Sequence, residues 1–311
     1  MFNFKLVMAL AVSGFVVLAC SGSTSSISAD EACADIAATA CEKYDSCAPI
    51  TIRVSYGDIN TCKTRAQPDC KAGLAAPGTS ATPDRIAACS SELKNVSCND
   101  FFAGNAPASC LPTKGSVANG GACGDDSQCA SAFCGKDGDK QCGSCAVPPA
   151  LGSACVNNRC PTGLDCAANV CIKRGASGDS CDPEKQPCQG TLNCFKGKCV
   201  AAGKAGDTCD ATLKDAPSCD LFQGVICVAK KCELAKVVNA GEPCGFTGGT
   251  LVLCSGNLYC KRDANKADGI CAAKAKDGAG CNTDPTKGPD CETPAKCIDG
   301  VCQLAAPEKC K

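Results

Sequence analysis

The chain is expected to fold as a small disulfide-rich protein: an N-terminal three-helix disulfide-linked domain, then an elongated array of short cysteine-rich loop and β-hairpin repeats. Three observations predict it. Cysteine supplies 35 of 311 residues, above the ~8–10% that marks a disulfide scaffold in a secreted chain. Leu, Ile, Val and Phe (16, 10, 17 and 9) make up about 17% of the chain, below the roughly 20% an ordinary core requires. A Gly-x-x-Cys opening recurs along the C-terminal part, the mark of a repeat architecture. A chain that buries too little apolar surface is held by cross-links instead.

The N-terminus sets the expected compartment. Residues 1–19 carry one charge, Lys5, and an apolar run from Leu6 to Leu18 interrupted by Ser13 and Gly14. That run is too short to span a bilayer, which takes ~20 residues, and fits the hydrophobic region of a signal peptide. It ends Val17-Leu18-Ala19-Cys20, which resembles the bacterial lipobox, with Leu18 at a place where Ala or Ser is commoner. The resemblance implies lipidation of Cys20, cleavage before it and acylation of the new amine. Residues 20–29 then form the lipidated Cys and a polar tether, Ser21-Gly22-Ser23-Thr24-Ser25-Ser26-Ile27-Ser28. Parity agrees: without Cys20, 34 cysteines remain, and an even number can pair fully. Ser21, where Asp is absent, resembles the outer-membrane sorting default. The expected location is an exported, membrane-anchored lipoprotein of the outer membrane, held by two or three acyl chains.

Residues 30–112 form the expected helical domain. Helices are predicted over Asp30–Ser46, Asp58–Leu74 and Pro83–Leu93, with Asp58 and Thr82 as N-caps and Pro83 just inside the third. Cys33 and Cys41 are eight apart, as are Cys62 and Cys70, a little over two helical turns, so each pair shares a face. An antiparallel helical hairpin then brings Cys33 to Cys70 and Cys41 to Cys62. Elimination leaves Cys47 for Cys89 and Cys98 for Cys110.

About six four-cysteine repeats are expected over 120–302, with 303–311 as a tail. The openings are Gly120–Cys123, Gly152–Cys155, Gly178–Cys181, Gly206–Cys209, Gly241–Cys244 and Gly278–Cys281. The first unit is irregular, with Cys123, Cys129, Cys134, Cys142 and Cys145. The others hold Cys155, Cys160, Cys166, Cys171; Cys181, Cys188, Cys194, Cys199; Cys209, Cys219, Cys227, Cys232; Cys244, Cys254, Cys260, Cys271; and Cys281, Cys291, Cys297, Cys302. Cys310 is extra, which leaves one bridge to run outside the four-cysteine frame. In four units the last two cysteines bracket four residues, as in Ile298-Asp299-Gly300-Val301, a two-residue hairpin turn. Three connectivities are open to each unit. Units this poor in apolar residues stack weakly, so the array is expected to be an elongated rod.

Over 123–171 the run Gly-Ala-Cys-Gly-Asp-Asp-Ser-Gln-Cys-Ala-Ser-Ala-Phe-Cys, followed by Cys-Gly-Ser-Cys, resembles the N-terminal cysteine-rich domain of the Dickkopf family. The whole chain resembles the cysteine-rich outer-membrane lipoproteins typical of myxobacteria. Cysteine spacing carries nearly all of this likeness. It implies a disulfide module, and no signalling activity is carried over with it.

No enzymatic activity, cofactor or metal site is expected. Histidine is absent, which removes Ser-His-Asp and Cys-His catalysis and imidazole ligands. Asp125-Asp126 and Asp137-Gly138-Asp139 fit solvated turns better than paired catalytic carboxylates, and the latter lacks the remaining ligands of a calcium loop. Cys142-Gly-Ser-Cys145 has redox spacing without the βαβ context that lowers a thiol pKa. It is the one Cys-x-x-Cys pair, too few for a four-cysteine zinc site. With net charge −1 and no basic face, nucleic acid is not an expected partner. The expected partners are the membrane, through the lipid, and a protein or envelope component of unknown identity. The expected function is a non-catalytic scaffold. The alternative is a disulfide-rich protease inhibitor, with Lys173-Arg174 or Lys261-Arg262 as bait, because pinned loops bind at low entropic cost.

Overall fold

The computed structural model describes residues 27–137, 140–247 and 250–310. The expectations for residues 1–26, Cys20 among them, lie outside this described part, as do Gly138 and Asp139. Among the described residues the protein is disulfide-rich, with 17 bridges, five helices toward the N-terminus and many short antiparallel strand pairs.

The helices are α1 (Ala29–Cys47), α2 (Pro49–Ser55), α3 (Ile59–Ala75), α4 (Pro83–Leu93) and α5 (Cys98–Ala103). Their starts are set by side chains that satisfy the free N–H groups of a first turn. Ser28 and Glu31 form a reciprocal capping box on α1. The Asp58 carboxylate accepts from the backbone N–H groups of Asn60 and Thr61 at 2.8 and 2.9 Å, and the Thr82 hydroxyl accepts from that of Arg85. The expectation of three helices is corrected by α2 and α5. Pro49 opens α2 directly after α1. Ser97 caps α5, and Gly104 at φ +70° ends it. Helices of seven and six residues are under two turns, too short to leave a periodic signal in sequence.

Disulfides Cys33–Cys70 and Cys41–Cys62 tie α1 to α3, with Cα separations of 5.5 and 6.0 Å. The other two pairings inferred by elimination are corrected: Cys47 joins Cys98, and Cys89 joins Cys110. The cause is α5. Its Phe101 and Phe102 pack on Tyr44 of α1 at ring-centroid distances of 5.0 and 6.0 Å, which carries Cys98 to the end of α1. A 3-10 turn at Ala108–Cys110 packs on α4 and brings Cys110 to Cys89. The hub core is small and contains sulfur: Ile52 with Cys41 and Cys62, flanked by Tyr44, Tyr56 and Ile59.

After the hub, six consecutive segments carry one hydrogen-bond frame. The N–H of the opening glycine donates to the carbonyl of the last cysteine at 2.8 Å in all six, from Gly120 with Cys145 to Gly278 with Cys302. That cysteine's N–H donates back to the residue after the glycine at 2.8–2.9 Å. The six glycines lie between φ +78° and +91°, a left-handed conformation that costs other residues roughly 1–2 kcal/mol. The bridges repeat as well, first cysteine to third and second to fourth. Cys155–Cys166 with Cys160–Cys171 shows the pattern, and Cys123–Cys134 with Cys129–Cys145 extends it to the first segment. The third and fourth cysteines face one another across the strand pair, as Cys166 does Cys171 and Cys297 does Cys302. Hairpin turns at Ala168-Asn169, Lys196-Gly197, Ala229-Lys230 and Asp299-Gly300 have positive φ at both residues, the geometry that matches strand twist. The fifth segment is larger. Strands Pro243–Thr247, Thr250–Cys254, Leu258–Arg262 and Asp268–Ala273 join Lys236–Val238 in a five-stranded sheet.

The expected elongated rod is corrected. Cys142 of the first segment is bonded to Cys310 in the tail, 168 residues later, so the six segments form a covalently closed circuit. Gln141 reinforces the closure, its Nε2 donating to Gln303 Oε1 and the Leu304 carbonyl. The circuit runs around the hub and touches it repeatedly. Arg65 of α3 holds Asp277 through two bonds of 2.7 and 2.8 Å and donates to the carbonyls of Glu292 and Thr293. Gly256 N–H donates to the Arg53 carbonyl, Gln223 Nε2 to that of Cys47 and Gln128 Nε2 to that of Pro77. Phe222 stacks on Phe102 at 4.2 Å. The first segment and the third to sixth touch the hub, while the second is held to the first through Arg159 and Asp126.

Candidate interaction surface

The seam between hub and circuit is polar and largely satisfied. Arg65 is its centre, and its pKa is raised, first by the hydrogen bond to Asp277. Beside it, burial pushes the Tyr56 phenol up. Arg65 is engaged in holding the two parts together.

Two cavities flank Asp69 on α3. One, about 340 Å³, lies against α4 and the first segment, where Arg85 donates to the carbonyls of Ala108 and Leu111. The other, about 250 Å³, sits by the closing disulfide and is lined by Lys136, Lys140 and Lys296. Burial raises the pKa of Asp69, whose Oδ1 has no hydrogen-bond partner. Burial lowers that of Lys136, which donates to the Gly124 carbonyl.

The main apolar surface crosses α2 and the fourth and fifth segments. One groove, about 320 Å³, lies on the fifth-segment sheet between Phe246, Leu251, Leu253 and Tyr259. A second, about 240 Å³, continues it over Ile50, Leu221 and Ile226, and the two share Val54, Leu251 and Leu253. Phe246 and Leu221 are 66% and 64% exposed. A contiguous apolar patch of this kind marks an interaction site more often than isolated surface hydrophobes do. The short strands and α2 position it, since Phe246 stands directly across from Leu251 in register.

The residues singled out in the sequence fall as follows. Cysteine trios such as Cys123, Cys129 and Cys145 have sulfurs within 4.8 Å of one another, but all are in disulfides, and the metal ligand is the thiolate. Cys142 and Cys145 belong to different bridges. Neither basic pair is a free loop. Arg174 is held by Asp165 at 2.5 Å, and Lys261-Arg262 lies within the strand Leu258–Arg262. The Asp125 carboxylate caps a 3-10 turn, accepting from the Ser127 N–H. Among the described residues, no helix is long and apolar enough to cross a membrane. Sequence reasoning missed the apolar grooves, because their residues are scattered singly from Ile50 to Tyr259.

No protein-family model matches the chain, and no curated protein or solved structure matches it either.

Proposed function

We propose that this chain is an exported lipoprotein, anchored through Cys20, whose body is a non-catalytic scaffold for a protein or cell-envelope partner. One observation carries the reading. All 34 cysteines from Cys33 to Cys310 are in disulfides, and of the 35 in the chain this sets Cys20 apart as the one outside the pairing. Disulfides at this density belong to oxidising compartments, and the leftover cysteine is the one in the lipobox-like run. The shared bond frame of the six segments supports one module repeated six times, of which residues 123–171 resemble the Dickkopf-type module.

The polar tether enters the body at the start of α1. Ala29, the first residue of α1, lies nine positions after Cys20, a reach of about 30 Å at most. The apolar surface meets α2, which follows the opposite end of α1. With 19 residues, α1 separates the two by about 28 Å.

The test is the intact mass of the protein from its native membrane, after thiol alkylation without reduction. The expected mass is that of residues 20–311 plus acyl groups, with no alkylated thiol. An unlipidated species carrying many alkylated thiols overturns the proposal.

A further inference from the structure

We infer that the joined apolar grooves of the fifth segment and α2 form a binding site for a single-chain amphiphile with a carboxylate head, a long-chain fatty acid in chemistry. The inference concerns the folded body and stands apart from the anchoring proposed above.

Three features define the ligand. Volumes of about 320 and 240 Å³ put the joined lobes in the range of small-molecule sites. The far lobe is lined by Ile50, Leu221, Ile226, Ala235 and Leu253, with Thr51 and Ser55 as its polar side chains. A peptide laid there would bury amide groups with few partners, at a cost of roughly 1–3 kcal/mol each, whereas an acyl chain has none to satisfy. The near lobe is lined by two cations, Arg262 and Lys274, at opposite ends of the strand pair Leu258–Arg262 and Asp268–Ala273, and no carboxylate is among the residues lining either lobe.

The cations are not spent on ion pairs of their own. Arg262 makes no salt bridge within 4 Å among the described residues, and its buried Nε has no hydrogen-bond partner there. Lys274 makes no salt bridge within 4 Å among the described residues. Burial lowers its pKa, against the more distant charges of Asp290 and Glu292. A carboxylate beside Arg262 would accept charge-assisted bonds from the guanidinium, while the tail crosses the sheet past Leu251 and Leu253 toward Leu221.

The experiment uses the full chain in membranes of the expressing cell and a photoactivatable fatty acid with a diazirine in its tail. Crosslinked peptides are mapped by mass spectrometry. The expected result is labelling of the peptides containing Leu251, Leu253 or Ile50, competed by palmitate and not by hexadecanol. Arg262→Gln should reduce competable labelling about tenfold, in line with one charge-assisted bond. Leu253→Asp, placed in the tail path, should abolish it. Both variants are first shown by non-reducing mass to hold all 17 bridges. Labelling competed equally by the alcohol, or absent from these peptides, overturns the inference. So does a crosslink from a benzophenone at Leu251 that yields a second polypeptide or a second copy of the chain.

Discussion

The hub and the circuit around it are cross-linked alike and stabilised differently. In the hub, disulfides join helices that already possess caps, backbone ladders and an aromatic cluster of Tyr44, Phe101 and Phe102 with Phe222 of the circuit. In the circuit, cysteines make up most of the interior, joined by Phe133 in the first segment and by Val238 and Val252 in the fifth. The fourth segment's core is Cys209, Cys219 and Cys232 around a single Val225, and the first segment's is four cysteines with Val117 against them. A bridge closing a loop of 11–18 residues is worth roughly 2–4 kcal/mol. One buried Val is worth about 1.5–3 kcal/mol. Sulfur supplements packing in the hub and largely replaces it in the smaller segments of the circuit.

The sharpest way to break this contrast is to open the circuit. Replacing Cys142 and Cys310 together by Ser removes closure of a 168-residue loop. Chain entropy values that at about 5 kcal/mol, a ceiling because the other bridges already compact the unfolded chain. Hydrogen exchange should show faster opening of the first and sixth segments, with the helical circular dichroism of the hub unchanged. Loss of the hub signal would make the two parts one cooperative unit.

The seam comes next. Arg65→Met removes four hydrogen bonds of a side chain only 20% exposed and leaves Asp277 without its cation. A cost of about 2–3 kcal/mol follows, read as lost amide protection around 275–295. A within-segment prediction tests the shared frame. Gly206→Ala meets nothing within 4 Å, so its penalty is backbone alone, roughly 1 kcal/mol, and should be confined to the fourth segment.

Two small effects should be gains. Lys230 at φ +67° occupies a turn position that favours glycine, so Lys230→Gly should raise stability slightly, by about 0.5–1 kcal/mol, read by thermal unfolding. Asp69→Asn should raise it at neutral pH, because burial disfavours the charged carboxyl. The sign is testable. The raised folded pKa means the native state takes up the proton first, so the wild-type penalty fades as pH falls through that value. The variant's advantage should therefore shrink toward acid.

Much of each part was legible locally. Asp58 and Thr82 cap the helices where their residue types say they should. Asp299-Gly300 makes the hairpin turn, and glycine opens every segment because each opening is left-handed. The apolar grooves were not legible, since Ile50 and Leu251 are two hundred residues apart and neither position is unusual alone.

Sequence by itself thus determined what short-range chemistry controls: the disulfide-rich class, the capped helices and the Gly-initiated hairpins. Tertiary structure decided which cysteine meets which in the hub, where α5 turns Cys98 toward Cys47. It also decided that Cys142 and Cys310 close the array on itself. Thiols are chemically equivalent, so spacing selected partners only within the α1–α3 helix pair and left three connectivities open in each four-cysteine segment. Beyond that range, selection falls to the packing that brings two of them within 5–6 Å, and packing between distant residues is not written in any one stretch of the chain.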